Sequence, residues 1–179
     1  MATTLLPFRD YDEHDVINLF AVDGELTKGH MVMINNGWKS DDEMTFLNEP
    51  GAAFGNTVSE RYGVTADVVV ANGASADVLG ILLYDVKETD ENGEKLVFNP
   101  RKAAELEIAL SGQAVPIATR GVFLYSGTQL IADAPAAGAN LYHTTAGELT
   151  TTDAGTYTKV GKTLGAKDAN GAVLVKIEL

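Results

Sequence analysis

The residues from which a reaction could be built are few: three histidines, a serine two places after a glycine, two Asn-Gly loops that carry carboxylates, and no cysteine. His14, His30 and His143 are far apart in sequence, without the short spacing of a preassembled metal site, and read as unrelated surface or arm residues. Ser75, in Gly73-Ala74-Ser75-Ala76-Asp77, lacks the second glycine of a nucleophile elbow and reads as part of a polar turn. Asp90-Glu91-Asn92-Gly93-Glu94 and Asp168-Ala169-Asn170-Gly171 look like the opening of a calcium loop, but lack its spaced ligands and closing glutamate. Asn-Gly between strand-like runs is more simply a hairpin turn, because both residues accept positive φ. No phosphate-binding glycine pattern occurs, since Gly51-Ala52-Ala53-Phe54-Gly55 has no following lysine. The sequence therefore predicts no catalytic residue, no metal and no cofactor, and a role other than that of an enzyme.

Two further residues suit an interface. Trp38, the single tryptophan, is either an anchor between subunits or a buried residue at the edge of the core. Arg120 interrupts the apolar run Pro116-Ile117-Ala118-Thr119-Arg120-Gly121, where a charge must be paired or reach solvent, through a bridge within the chain or one to a second subunit.

These residues must be carried by one domain of 179 residues, large enough to bury a core without disulfides. With 13 basic and 25 acidic residues the formal net charge is -12, which opposes nucleic acid and anionic membrane as partners. No apolar run approaches the ~20 residues of a membrane span, and Met1-Ala2-Thr3-Thr4 lacks the positive start of a secretory leader. Synthesis in a bacterial cytoplasm is the expectation.

Residues 1–21 read as an extended arm, in which Leu5, Leu6, Pro7, Phe8, Tyr11, Val16, Ile17, Leu19 and Phe20 alternate with charges. That much apolar surface either packs back on its own domain or reaches a neighbouring subunit or partner. Residues 22–179 carry the punctuation of a single β-rich domain: short β-branched runs between turn signals. Strands are expected at Met31-Val32-Met33-Ile34, ending in the turn Asn35-Asn36-Gly37, at Asp67-Val68-Val69-Val70, and across residues 78–86. Residues 114–125 read as a strand pair or one long bent strand, and further strands fall at 141–143, 157–160 and 172–177. One short helix is expected, capped by Asn99 with Pro100 at its first position and Ala103, Leu106 and Leu110 on one face. The alternation of residues 106–110 also allows a strand after two helical turns.

As a unit, the chain resembles the head decoration proteins of tailed bacteriophages, also called capsid cement or head-stabilisation proteins. The resemblance rests on the arm from Arg9 to Ala21, on Lys28-Gly29-His30-Met31-Val32-Met33-Ile34, on residues 78–86 and 111–121, and on Val160-Gly161-Lys162-Thr163-Leu164-Gly165. It implies a mainly β, compact barrel or sandwich (β-tulip-like) domain with an N-terminal arm. It also implies a virion protein on the outer capsid surface that binds the major capsid protein as a homotrimer at three-fold or quasi-three-fold positions. The apolar arm residues from Leu5 to Phe20 named above would contact the capsid, with Trp38 and Arg120 at a subunit interface. Rival readings are a head fibre or tail component, and a ligand-binding β-sandwich using Trp38, Tyr62, Tyr84 or Tyr125.

Overall fold

The computed structural model describes residues 4–7, 15–22, 24–40, 64–72, 77–126 and 134–179. Its described strands are β1 (Thr4–Pro7), β2 (Val16–Ile17), β3 (Phe20–Val22), β4 (Met31–Ser40), β5 (Val64–Val70), β6 (Val78–Leu82), β7 (Asp85–Val86), β8 (Ile108–Ala109), β9 (Ile117–Ala118), β10 (Arg120–Ser126), β11 (Asn140–His143), β12 (Leu149–Thr150), β13 (Lys159–Thr163) and β14 (Val173–Glu178). One sheet has the order β1-β10-β14-β13-β11-β12, a second β2-β9-β6-β4-β5-β3, and β7 pairs with β8 in a small parallel ribbon. The mainly β class expected from the sequence is what the structure shows.

The second sheet closes on itself. Its edge strands β2 and β3 are separated in the chain only by Asn18 and Leu19, so residues 16–22 form one bent ribbon between the two edges. On one side β2 pairs with β9, Phe20 O accepts from Val115 N, and Val22 O accepts from Gly112 N; on the other, β3 runs parallel to β5. Closure removes the exposed edges that an open sheet must otherwise protect.

Alternate residues of this curled sheet feed two different cores. Val22, Val32, Val68, Leu82, Val115 and Ile117 gather inside it, while Met31, Ile81 and Ala118 face outward against Leu5, Phe123, Tyr125, Val173, Val175 and Ile177 of the first sheet. Strands buried on both faces lose their alternation, which is why Met31-Val32-Met33 and residues 78–83 read as continuous apolar runs. The first sheet has one buried face. Residues 173–178 therefore alternate, with Val173, Val175 and Ile177 inside and Leu174, Lys176 and Glu178 outside.

Several expectations are corrected. Asn35-Asn36-Gly37 does not end its strand: β4 continues to Ser40, and the register jumps between Ile34 and Gly37, so the two asparagines form a bulge. Asn35 Nδ2 donates to Asp67 Oδ2 at 3.0 Å, giving the bulged side chain a partner in β5. The single strand expected over 78–86 breaks after Leu82 and resumes as β7 in the small ribbon. The helix, α1 (Pro100–Glu105), is capped by Asn99 as expected and takes the shorter of the two forms that residues 106–110 allowed: it stops before Leu106, which is exposed, and positive φ at Glu107 turns the chain into β8. Residues 114–125 are a bent strand in effect: β9 belongs to the curled sheet and β10 to the first, with Thr119 at the corner.

Candidate functional site

The described parts of the arm lie on the chain's own sheets. Leu5 pairs with Tyr125 and is buried in the core, whereas Leu6 pairs with Leu124 and is half exposed on the solvent face. Pro7 pairs with Phe123; Phe8 and Tyr11 lie outside the described residues. Val16 and Ile17 pair with Ala118 and Ile117, and Leu19 and Phe20 are half-buried. The arm is clasped where β9 turns into β10. There Asp15 O accepts from Thr119 N at 2.9 Å and from Thr119 Oγ1 at 3.2 Å, and Asp15 Oδ1 accepts from Arg120 Nε at 3.0 Å. Arg120 thus has a partner within its own chain, in a bridge largely open to water on its own side. Trp38 is a β4 residue opposite Ala66, and its side chain lies outside the described part.

The residues that could do chemistry are engaged in building turns. Asp90 Oδ1 accepts from Asn92 N and Glu94 N, both at 2.8 Å, while Oδ2 bonds the Lys102 ammonium. Lys102 holds the Asp90 carboxyl below the usual aspartate range, and Asp90 in turn raises the Lys102 pKa. Asp168 Oδ1 repeats the motif with Asn170 N and Ala172 N. Thr144 Oγ1 makes the same turn with Ala146 N and Glu148 N. In all three, the glycine at the fourth place donates its N–H to the first residue's carbonyl and adopts positive φ, a type I turn with a glycine bulge. The calcium-like loops are hairpins whose first carboxylate is occupied by backbone N–H groups. No three His, Asp or Glu side chains among the described residues are placed to hold a metal. Ser75 and His14 lie outside the described residues. His30 Nδ1 bonds Thr27 O at 2.8 Å, and His143 is fully buried with Nδ1 against Thr144 O.

Of the aromatics that a ligand-binding reading would use, Tyr62 lies outside the described residues and Tyr125 is buried, donating to Gly29 O at 2.8 Å. Tyr84 lies at a groove of about 690 Å³ beside α1, walled by Leu96, Phe98, Ala103 and Ile108, with Asn18 and Gln113 its other polar residues. The groove contains neither carboxylate, imidazole nor amine, so it offers apolar contact and no acid–base pair. Two expected contact residues, Leu6 and Arg120, stand instead on the solvent face of the first sheet.

Comparison with known proteins agrees with a structural role. The phage cement family model, described as "Structural cement protein (E217 gp24/Pam3 gp6)", matches residues 21–179, nearly the whole of the β domain. No curated protein and no solved structure matches the chain. Because the match spans 159 of the 179 residues (21 through 179), the chain belongs to the phage structural cement protein family.

Proposed function

We propose that this cement protein binds the outer surface of an icosahedral phage head as a homotrimer at three-fold or quasi-three-fold positions. There it bridges neighbouring capsomers of the major capsid protein and stabilises the shell. The family match over residues 21–179 carries this reading. The architecture supports it: a closed barrel backed by a second sheet is a rigid body that loses little conformational freedom on docking. A trimer engages three sites at once, so contacts that are weak singly add up to high occupancy when geometry lets all three form. Binding only the assembled shell shifts the assembly equilibrium toward it by mass action, with no bond made or broken.

The test is co-sedimentation of the purified protein with heads of the phage that encodes it, with bound copies counted against the major capsid protein by gel densitometry. Saturation at a fixed ratio near one trimer per three-fold position is the expected result. Absence from intact virions together with failure to bind heads sinks the proposal.

A further inference from the structure

The solvent face of the first sheet combines two features that a solvated sheet face has no need of. The first is a row of leucines running across three strands and on to the residue that follows a fourth, β13. Leu6 pairs with Leu124, Leu124 pairs with Leu174, and Leu164 N, one residue past β13, donates to Leu174 O, so the four side chains line up from β1 to the chain just after β13. Leu6 is 49% exposed and Leu164 43%, with Leu124 and Leu174 half-buried between them.

The second feature is charge of the wrong sign for this molecule. Next to the leucines, Val122, Lys176 and Lys162 form the adjoining row, and Lys162 lies directly opposite Lys176. Lys159, opposite Tyr142, is exposed on the same face, and Arg120 pairs across to Glu178. Lys176 is bridged to Glu178 at 3.0 Å and Arg120 to Asp15, but Lys159 and Lys162 have no ion-pair partner among the described residues. Like charges directly opposite in a sheet are destabilising, and the chain as a whole has 25 acids against 13 bases. Glu178 registers the local field: Lys176 holds its carboxyl below the usual glutamate range, with Lys162 and Arg120 adding to the effect.

We propose that this face is the surface by which the protein docks on the shell, and that its occupant is a protein surface presenting carboxylates beside apolar side chains. The inference deepens the capsid-binding reading and rests on it. Charge complementarity selects the occupant: carboxylates facing Lys159 and Lys162 would relieve the Lys162–Lys176 repulsion, while the leucine row supplies burial that water cannot reward. The apolar groove beside α1 lacks charged side chains and offers no such selection.

The experiment compares attachment of wild type, Lys159→Glu/Lys162→Glu, Leu6→Ser/Leu164→Ser and, as a control on the groove, Phe98→Ser to heads lacking the cement protein. The four changed positions on the sheet face point to solvent, so circular-dichroism melts should match wild type within about 2 °C. Each sheet-face pair should weaken attachment about tenfold or more, with Phe98→Ser near wild type, and wild-type attachment should weaken as salt is raised. Wild-type affinity in both sheet-face variants overturns the docking surface and leaves the capsid-binding reading standing. Loss of attachment confined to Phe98→Ser overturns it in favour of the groove. A wild-type protein that fails to sediment with heads overturns both.

Discussion

Tyr125 joins the two layers of the molecule through one hydroxyl. It stands on β10 of the first sheet and donates to Gly29 O, just before β4 of the barrel. Gly29 has φ of 91°, and a Cβ there would lie 2.5 Å from the Tyr125 oxygen, so Tyr125 packs only against a glycine at this position. Tyr125→Phe should cost about 1–3 kcal/mol in urea unfolding by leaving a buried carbonyl without its donor, and Gly29→Ala should cost at least as much. Burial, with Glu148 nearby, pushes the phenol well above its ordinary pKa. The folded protein therefore keeps Tyr125 neutral where the unfolded chain ionises it. Its contribution is complete below about pH 10 and is lost as pH rises above that value. Unfolding curves from pH 8 to 11 should fall more steeply for wild type than for Tyr125→Phe. The turn residues allow a second comparison. Asp90 and Asp168 each accept two backbone N–H bonds, but Asp90 alone among the two is also bonded to Lys102 in the described contacts. Asp90→Ala should lower the melting temperature more than Asp168→Ala, and acidification through the depressed Asp90 range should narrow the difference.

Among the elements, β1 is the sharpest case of the pleat assigning opposite fates to neighbours. Leu5 points into the core at 4% exposure and Leu6 points to solvent. Leu5→Ala should cost about 2–4 kcal/mol, as a large-to-small core change does, whereas Leu6→Ala should change stability by no more than about 0.5 kcal/mol. Chemical denaturation of the two variants decides it, and equal losses would mean that β1 does not hold this register. The helix shows a local rule working within narrow bounds. Asn99 accepts from Lys102 N at 3.3 Å and Pro100 opens the first turn, so its start was readable in the sequence. Its end was readable only as one of two alternatives, since the alternation of residues 106–110 allowed a strand there, and what chose the strand is β7, which pairs with β8 across 23 residues from Asp85 to Ile108.

For the whole molecule, the closure of the barrel by residues 16–22 changes what truncation does. An arm that merely reached outward could be removed without harm, but here β2 and β3 complete the sheet and Ala21 and Val22 are buried. Deleting residues 1–21 should lower the melting temperature and open the barrel edges at β9 and β5, whereas deleting residues 1–7 should strip only β1 from the first sheet. Thermal melts and size-exclusion chromatography of the two truncations check this; a longer truncation that melts no lower than the shorter one, which already loses the buried Leu5, would show that the ribbon does not close the barrel. Loss of head attachment by the longer deletion would by itself say little about capsid contact, which is why the surface substitutions proposed above are the more discriminating probes.

The amino-acid sequence alone determined that the chain is a β protein, that Asn92-Gly93 and Asn170-Gly171 close hairpins, where the helix cap lies, and that its residues resemble a phage cement family. Each of these is a local property: turn chemistry, alternation, capping and composition act over a few residues. Only the tertiary structure decided that β4 runs through Asn35-Asn36-Gly37, since the partner strand and the Asp67 carboxylate that accommodate the bulge are distant in sequence. It also decided that Leu6, Leu124, Leu174 and Leu164 form one exposed row. In single strands, those leucines look like core residues. Which face of a strand meets water is fixed by the register of its neighbours and by what packs behind the sheet, and neither is written in the strand itself.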